Sequence, residues 1–281
     1  MGGIATVWLL PLVMAADGDY VNHSLDFTNW VAGLRPGIVV PDSACMNPMG
    51  ALTLEAWISP CEVTTGNDSL GGAHKIIEKW VGIGIDERCF LLTMVDAHLR
   101  FAVNLDGTLE GTRGVTSQAA INAVQWTHVA GVYDGSTLSL YIDGQREPNT
   151  VSVTGTLYAG ETLVKVGGCG GEGMGASGAF LGRIDEVRIS DVARYSGSFP
   201  RPAAEFAPDE NTFLLMHMNE GEGLFTANTG NLGPSEVSRG AGRIWATGVP
   251  IVPEPACLGL MALGGVAVVR RRARFVCGAH G

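Results

Sequence analysis

A chain of 281 residues that is 46% hydrophobic and only 16% charged can bury a sizeable core, which excludes a disordered polymer. Its 40 glycines follow no Gly-X-Y period, which excludes collagen and reads as turns between many short strands. The net charge of −10 repels phosphates, so no nucleic acid partner is expected.

The first 16 residues carry an apolar stretch from Ile4 to Met14, with Val13 and Ala15 placed as at a signal peptidase site. A signal peptide over residues 1–16 and export are therefore expected. No Lys or Arg precedes the stretch, and a buried first strand is the alternative. From about residue 20 to 248, runs of alternating apolar and polar residues recur between Gly, Asp and Asn, the pattern of an all-β sandwich. Leu52, Leu54, Ala56 and Ile58 alternate with Thr53, Glu55, Trp57 and Ser59, so one side of that strand is apolar and the other mixed. Arg88–Val95 and His98–Leu105 form a hairpin through Asp96-Ala97. Trp126–Tyr133 is followed through Asp134-Gly135-Ser136 by Thr137–Asp143, where Leu138, Leu140 and Ile142 share a face, and Asp143-Gly144 makes the next turn. Residues 249–281 close the chain with Val252-Pro253-Glu254-Pro255, an apolar run over 256–269 and the basic cluster Arg270, Arg271, Arg272 and Arg274. Fourteen helical residues rise about 21 Å, short of the roughly 30 Å hydrocarbon core, so a permanent anchor would be weak. Basic residues after an apolar run mark the cytoplasmic flank of a membrane segment.

Residues 51–58, 126–135, 140–144 and 180–189 (Phe180-Leu181-Gly182-Arg183-Ile184-Asp185-Glu186-Val187-Arg188-Ile189) resemble the successive strands of LamG-like domains. The resemblance implies a two-sheet antiparallel jelly-roll sandwich of concanavalin A type over residues 20–248. Phe213–Gly223 resembles the strand and turn that often open such a repeat; too little chain follows for a second core, so it is assigned as a closing strand of the same sandwich. The tail resembles the PEP-CTERM sorting signal of bacterial exported proteins, although it runs past the arginines to Gly281. That resemblance implies an exosortase-type partner acting near Pro253-Glu254-Pro255 and a membrane contact through a C-terminal hydrophobic helix, with a short tail anchor as the alternative.

Chemistry-bearing residues are sparse. A retaining glucanase needs two carboxylates about 5–5.5 Å apart, which alternation along one strand can supply. No such run occurs, since Asp86-Glu87, Asp209-Glu210 and Glu220-x-Glu222 sit in turn-like contexts read as solvated loops. No Gly-x-Ser-x-Gly elbow or His-Glu-x-x-His helix is present, and the glycine-rich stretch 167–178 lacks the lysine of a phosphate-binding loop. No enzyme activity is expected. His23, His74, His98, His128 and His217 have no close mutual spacing and receive no metal or catalytic role. The resemblance to laminin-G and lichenase-type jelly rolls implies a structural Ca²⁺ held by Asp185 with backbone carbonyls, Asp26 being a second candidate. The alternative is an Asp185 that meets solvent at a strand edge or pairs with Arg183. Ligand-binding residues stay unassigned, with Trp30, Trp80 and Tyr158 as aromatic candidates by exclusion. Cys45, Cys61, Cys89 and Cys169 allow three disulfide pairings, while Cys257 and Cys277 belong to the tail. The function expected is an exported envelope or matrix protein with a non-catalytic carbohydrate- or protein-binding domain. The alternatives are a purely structural surface or biofilm protein and a glycoside hydrolase of concanavalin A-like fold.

Overall fold

The structure, a computed structural model, describes residues 22–28, 37–47, 50–63, 74–81, 87–168, 178–223, 225–232, 236–239 and 244–250. The signal segment, Trp30, Cys169 and the tail, with Val252, Pro253, Glu254, Pro255, Arg270, Arg271 and Arg272, lie outside the described residues. Among the described residues no helix is long and apolar enough to cross a membrane.

Apart from a 3-10 turn at Ala44–Met46, the regular structure of the described residues is strand, as the alternation demands. The strands are β1 (His23–Asp26), β2 (Ile38–Val40), β3 (Leu52–Pro60), β4 (His74–Val81), β5 (Glu87–Val95), β6 (His98–Asn104), β7 (Thr112–Ala120) and β8 (Thr127–Tyr133). They continue with β9 (Thr137–Ile142), β10 (Gln145–Ser152), β11 (Val164–Val166), β12 (Gly182–Ser190), β13 (Thr212–Met216), β14 (Phe225–Ala227), β15 (Glu236–Arg239) and β16 (Ile244–Thr247). One antiparallel sheet runs β10-β9-β8-β3-β12-β1-β16 with β13 beside β12; the other runs β14-β15-β2-β11-β4-β5-β6-β7. The expected hairpins form where expected. Asp96 and Ala97 take φ of 49° and 67°, and Asp143 and Gly144 take 49° and 77°. Two consecutive positive φ values give the primed turns whose twist suits a hairpin. Gly144 is also obligatory for space, because a Cβ there would strike the Phe199 carbonyl.

Leu52, Leu54, Ala56 and Ile58 of β3 point between the sheets and join Val129, Leu138, Leu140, Phe90, Leu92 and Phe101 in one buried core. Truncating a fully buried leucine such as Leu54 to Ala is expected to cost about 2–5 kcal/mol. The opposite face of the first sheet carries Trp57, Ala130, Val132 and Tyr141, too much apolar surface for a face left in water. A third layer therefore covers it: Phe206 packs with Trp57, Leu215 and Val249, while Tyr195 and Phe199 pack on Ala130, Val132 and Tyr141. β13 belongs to this first sheet, paired antiparallel with β12 from Val187↔Met216 to Ser190↔Thr212.

Candidate functional site

Strand β12 decides where the outward polar groups fall. Along one edge it pairs with β3, and along the other it pairs first with β1, through Arg183 and Ile184, and then with β13 from Val187 onward. Where the second partner changes, the register against β3 slips, so that Asp185 opposes Trp57 and Arg188 opposes Glu55. Glu186 takes φ of 49° in this bulge. An extra residue in a bulge re-aims side chains, and here Asp185, Glu186 and Arg188 all leave the core to Ile184 and Val187.

Glu55 centres a closed cluster. Its Oε1 accepts the Arg188 Nε–H at 2.7 Å, and its Oε2 accepts the Tyr195 hydroxyl at 2.7 Å and lies 3.2 Å from His128 Nε2. Burial pushes the Glu55 carboxyl up, but the His128 hydrogen bond and the Arg188 charge outweigh it and hold the group at about 2. Burial, then the Glu55 charge, push the Tyr195 phenol upward. Tyr195 stacks on Phe199 with centroids 3.8 Å apart, and the Arg188 guanidinium lies 4.4 Å from the Phe206 ring centroid. Glu55, Arg188 and Tyr195 are thereby committed to fastening the covering layer, which suits no exchangeable ligand.

Glu186 centres an open cluster. Its Oε2 accepts the Phe206 N–H at 2.8 Å and its Oε1 meets His217 Nδ1 at 2.8 Å, while Glu205 Oε1 accepts an Asn219 side-chain N–H at 2.6 Å. One ligand-type atom from each of Glu186, Glu205 and His217 lies within 4.8 Å of the other two. His217, Asn219, Glu220, Ala227 and Thr229 wall a cavity of about 310 Å³, at the small end of the roughly 300–1,000 Å³ typical of ligand sites. Glu220 fixes the far wall, its Oε1 accepting the Ala227 N–H at 2.6 Å and the Thr226 hydroxyl at 3.1 Å. Two residues before Ala227, Phe225 is 47% exposed while Thr226 is buried, so strand alternation puts the ring on the same side of β14 as Ala227.

The expected metal residues fall elsewhere. Asp185 is fully buried, neither at a solvated edge nor paired with Arg183; its Oδ1 accepts the Glu186 N–H and its Oδ2 the Val249 N–H, both at 2.9 Å. Burial raises its carboxyl well above the usual range. Asp26 lies opposite Arg183, whose Nε is 3.7 Å away, and accepts the Thr28 N–H at 2.8 Å. Neither aromatic candidate within the described residues is an open platform. Tyr158 lies across Gly107 and Gly160, and Trp80 is partly buried with the Arg88 guanidinium 6.0 Å from its ring centroid. Of the acidic pairs read as solvated loops, Asp209 forms two hydrogen bonds with Arg194, at 2.7 and 2.8 Å, which hold its carboxyl low. Cys61 and Cys89 are free thiols. The reading along single strands missed Glu186 and Glu205 as a pair because they come from different segments, and it left His217 without a role.

The family model Laminin_G_3, described as the concanavalin A-like lectin/glucanases superfamily, matches residues 33–197. Among solved structures, a candidate carbohydrate binding protein from Bacteroides ovatus ATCC 8483 superposes with a TM-score of 0.59 at 17% identity over 83% of this chain. The chain spans 62% of that protein's length. A native heptameric SAP-like pentraxin from Limulus polyphemus superposes with a TM-score of 0.53 at 16% identity, over 83% of this chain and 98% of its own. At such identities the likeness is one of fold. No curated protein matches the chain.

Proposed function

This chain belongs to the concanavalin A-like lectin/glucanases superfamily, and from that premise we propose that it is a non-catalytic domain that binds a glycan at the cavity between His217 and Thr229. The observation that carries this reading is the cavity walled by His217, Asn219, Glu220, Ala227 and Thr229, with the half-exposed Phe225 two residues before Ala227 on the same side of β14. An aromatic face can stack on the C–H face of a sugar, and the Asn219 and Thr229 side chains supply hydrogen-bonding groups for its hydroxyls. The broad outward face of the first sheet is already covered by Tyr195, Phe199 and Phe206, which favours the cavity over that face. The Bacteroides ovatus protein's description as a candidate carbohydrate binding protein supports the ligand class.

A hydrolase is the second reading, since oxygens of Glu186 and Glu205 lie within 4.8 Å of each other. Against it, Glu186 is fully buried, with its oxygens turned to His217 and the Phe206 N–H, which leaves it poorly placed for proton transfer to a sugar. The proposal includes export and sorting by the C-terminal tail, checked by intact mass: a mature species that retains Arg270–Arg274 contradicts processing. It also includes a structural calcium at Asp185 and Asp26, expected to raise the melting temperature in wild type but not in Asp185→Ala.

The binding test is a glycan array with the full chain, followed by titration of the best ligand. Phe225→Ala should weaken binding at least ten-fold and leave melting unchanged, because its side chain stands half in solvent. Unaltered affinity in Phe225→Ala, or no glycan bound by the wild type, rejects the reading. Turnover of the bound glycan would establish the hydrolase instead.

A further inference from the structure

We propose that Glu186, Glu205 and His217 form a binding site for a first-row divalent cation, Zn²⁺ being its simplest occupant. The three side chains come from β12, from the covering layer and from the residue after β13, and they bring one imidazole nitrogen and two carboxylate oxygens within 4.8 Å of one another. Zinc holds nitrogen and oxygen ligands at about 2.0–2.2 Å with tetrahedral angles, which leaves neighbouring ligand atoms about 3.4 Å apart. The 2.8 Å contact between Glu186 Oε1 and His217 Nδ1 would open slightly, and Glu205, within 4.8 Å of both, would settle toward the same spacing. An imidazole beside two carboxylates suits a borderline first-row metal better than calcium, which prefers oxygen throughout.

The surrounding hydrogen bonds orient each ligand as metal sites require. The other oxygen of Glu186 accepts the Phe206 N–H, Glu205 is steered by Asn219, and the far nitrogen of His217 lies 3.3 Å from the Thr229 hydroxyl oxygen. Ligating histidines and carboxylates characteristically carry such partners on the atom turned away from the metal. Binding displaces any proton on His217 Nδ1 to solvent, and the nitrogen lone pair then faces the metal. His217 is also a wall of the cavity, so the remaining coordination position is available to an oxygen of a bound sugar. That last step rests on the glycan reading above, whereas the metal site itself does not.

The test uses the full chain stripped with a chelator and titrated with Zn²⁺ by calorimetry, without glycan. Wild type should take up one equivalent at this site, and His217→Ala and Glu205→Gln should each bind it at least ten-fold more weakly. Both variants change partly exposed side chains, so circular dichroism should show the fold retained. Co²⁺ should give the visible bands of a four-coordinate ion in wild type and lose them in His217→Ala. Uptake unchanged in both variants, or abolished by alkylating the thiols, overturns the site. Loss of glycan binding with zinc uptake intact counts against the glycan reading; glycan binding without zinc uptake counts against this site alone.

Discussion

Glu55 and Glu186 are both fully buried carboxylates on the outward face of the same sheet, yet their charges are met differently. Glu55 has a permanent cation in Arg188, reinforced by His128 and Tyr195, and lies beneath stacked aromatic rings. Glu186 pairs instead with the imidazole of His217, and His217 borders a cavity. A cluster that supplies its own counter-charge fastens the fold. One that does not is suited to receive a ligand.

The largest effect separating the two clusters is expected from Glu55→Ala. Removing one partner of a buried ion pair leaves the other uncompensated, so Arg188 should destabilise the variant by about 3–5 kcal/mol in denaturant unfolding. Acid should probe the same cluster. Glu55 is held at about 2 in the folded chain against an ordinary value of 4.5. Its contribution is therefore complete above about pH 4.5 and lost as the pH falls toward 2, on the order of 3 kcal/mol. Unfolding curves across that range should show the decline, and Glu55→Ala should lack that part of it. The smallest effect belongs to the open cluster: Glu205→Gln keeps an acceptor for Asn219 and should change stability by about 0.5 kcal/mol or less. A large loss in that variant would make the second cluster a fastening too.

The sandwich was legible in the sequence because alternation reports burial directly. Leu52, Leu54, Ala56 and Ile58 do face the core, and the turns fall at Asp96-Ala97 and Asp143-Gly144, the second with the Asp-Gly pair that primed turns favour. The Glu186 cluster was not legible, since its members join through the covering layer and the end of β13, and no local spacing announces that. One signal was available. In Ile184-Asp185-Glu186-Val187-Arg188-Ile189 the apolar residues are spaced three and then two apart, a break in phase that marks a bulge and two adjacent carboxylates turned outward. Resemblance pointed to Asp185 as a ligand, and its burial with the N–H groups of Glu186 and Val249 on its two oxygens was not legible, since Val249 lies 64 residues further along the chain.

The most direct test of the division between a fastened face and a receiving cavity is hydrogen–deuterium exchange of the full chain with and without saturating glycan. Protection should appear in residues 217–229, around Phe225 and Thr229, with residues 191–206 unchanged. Protection confined to residues 191–206, or none at a saturating glycan concentration, would contradict the account.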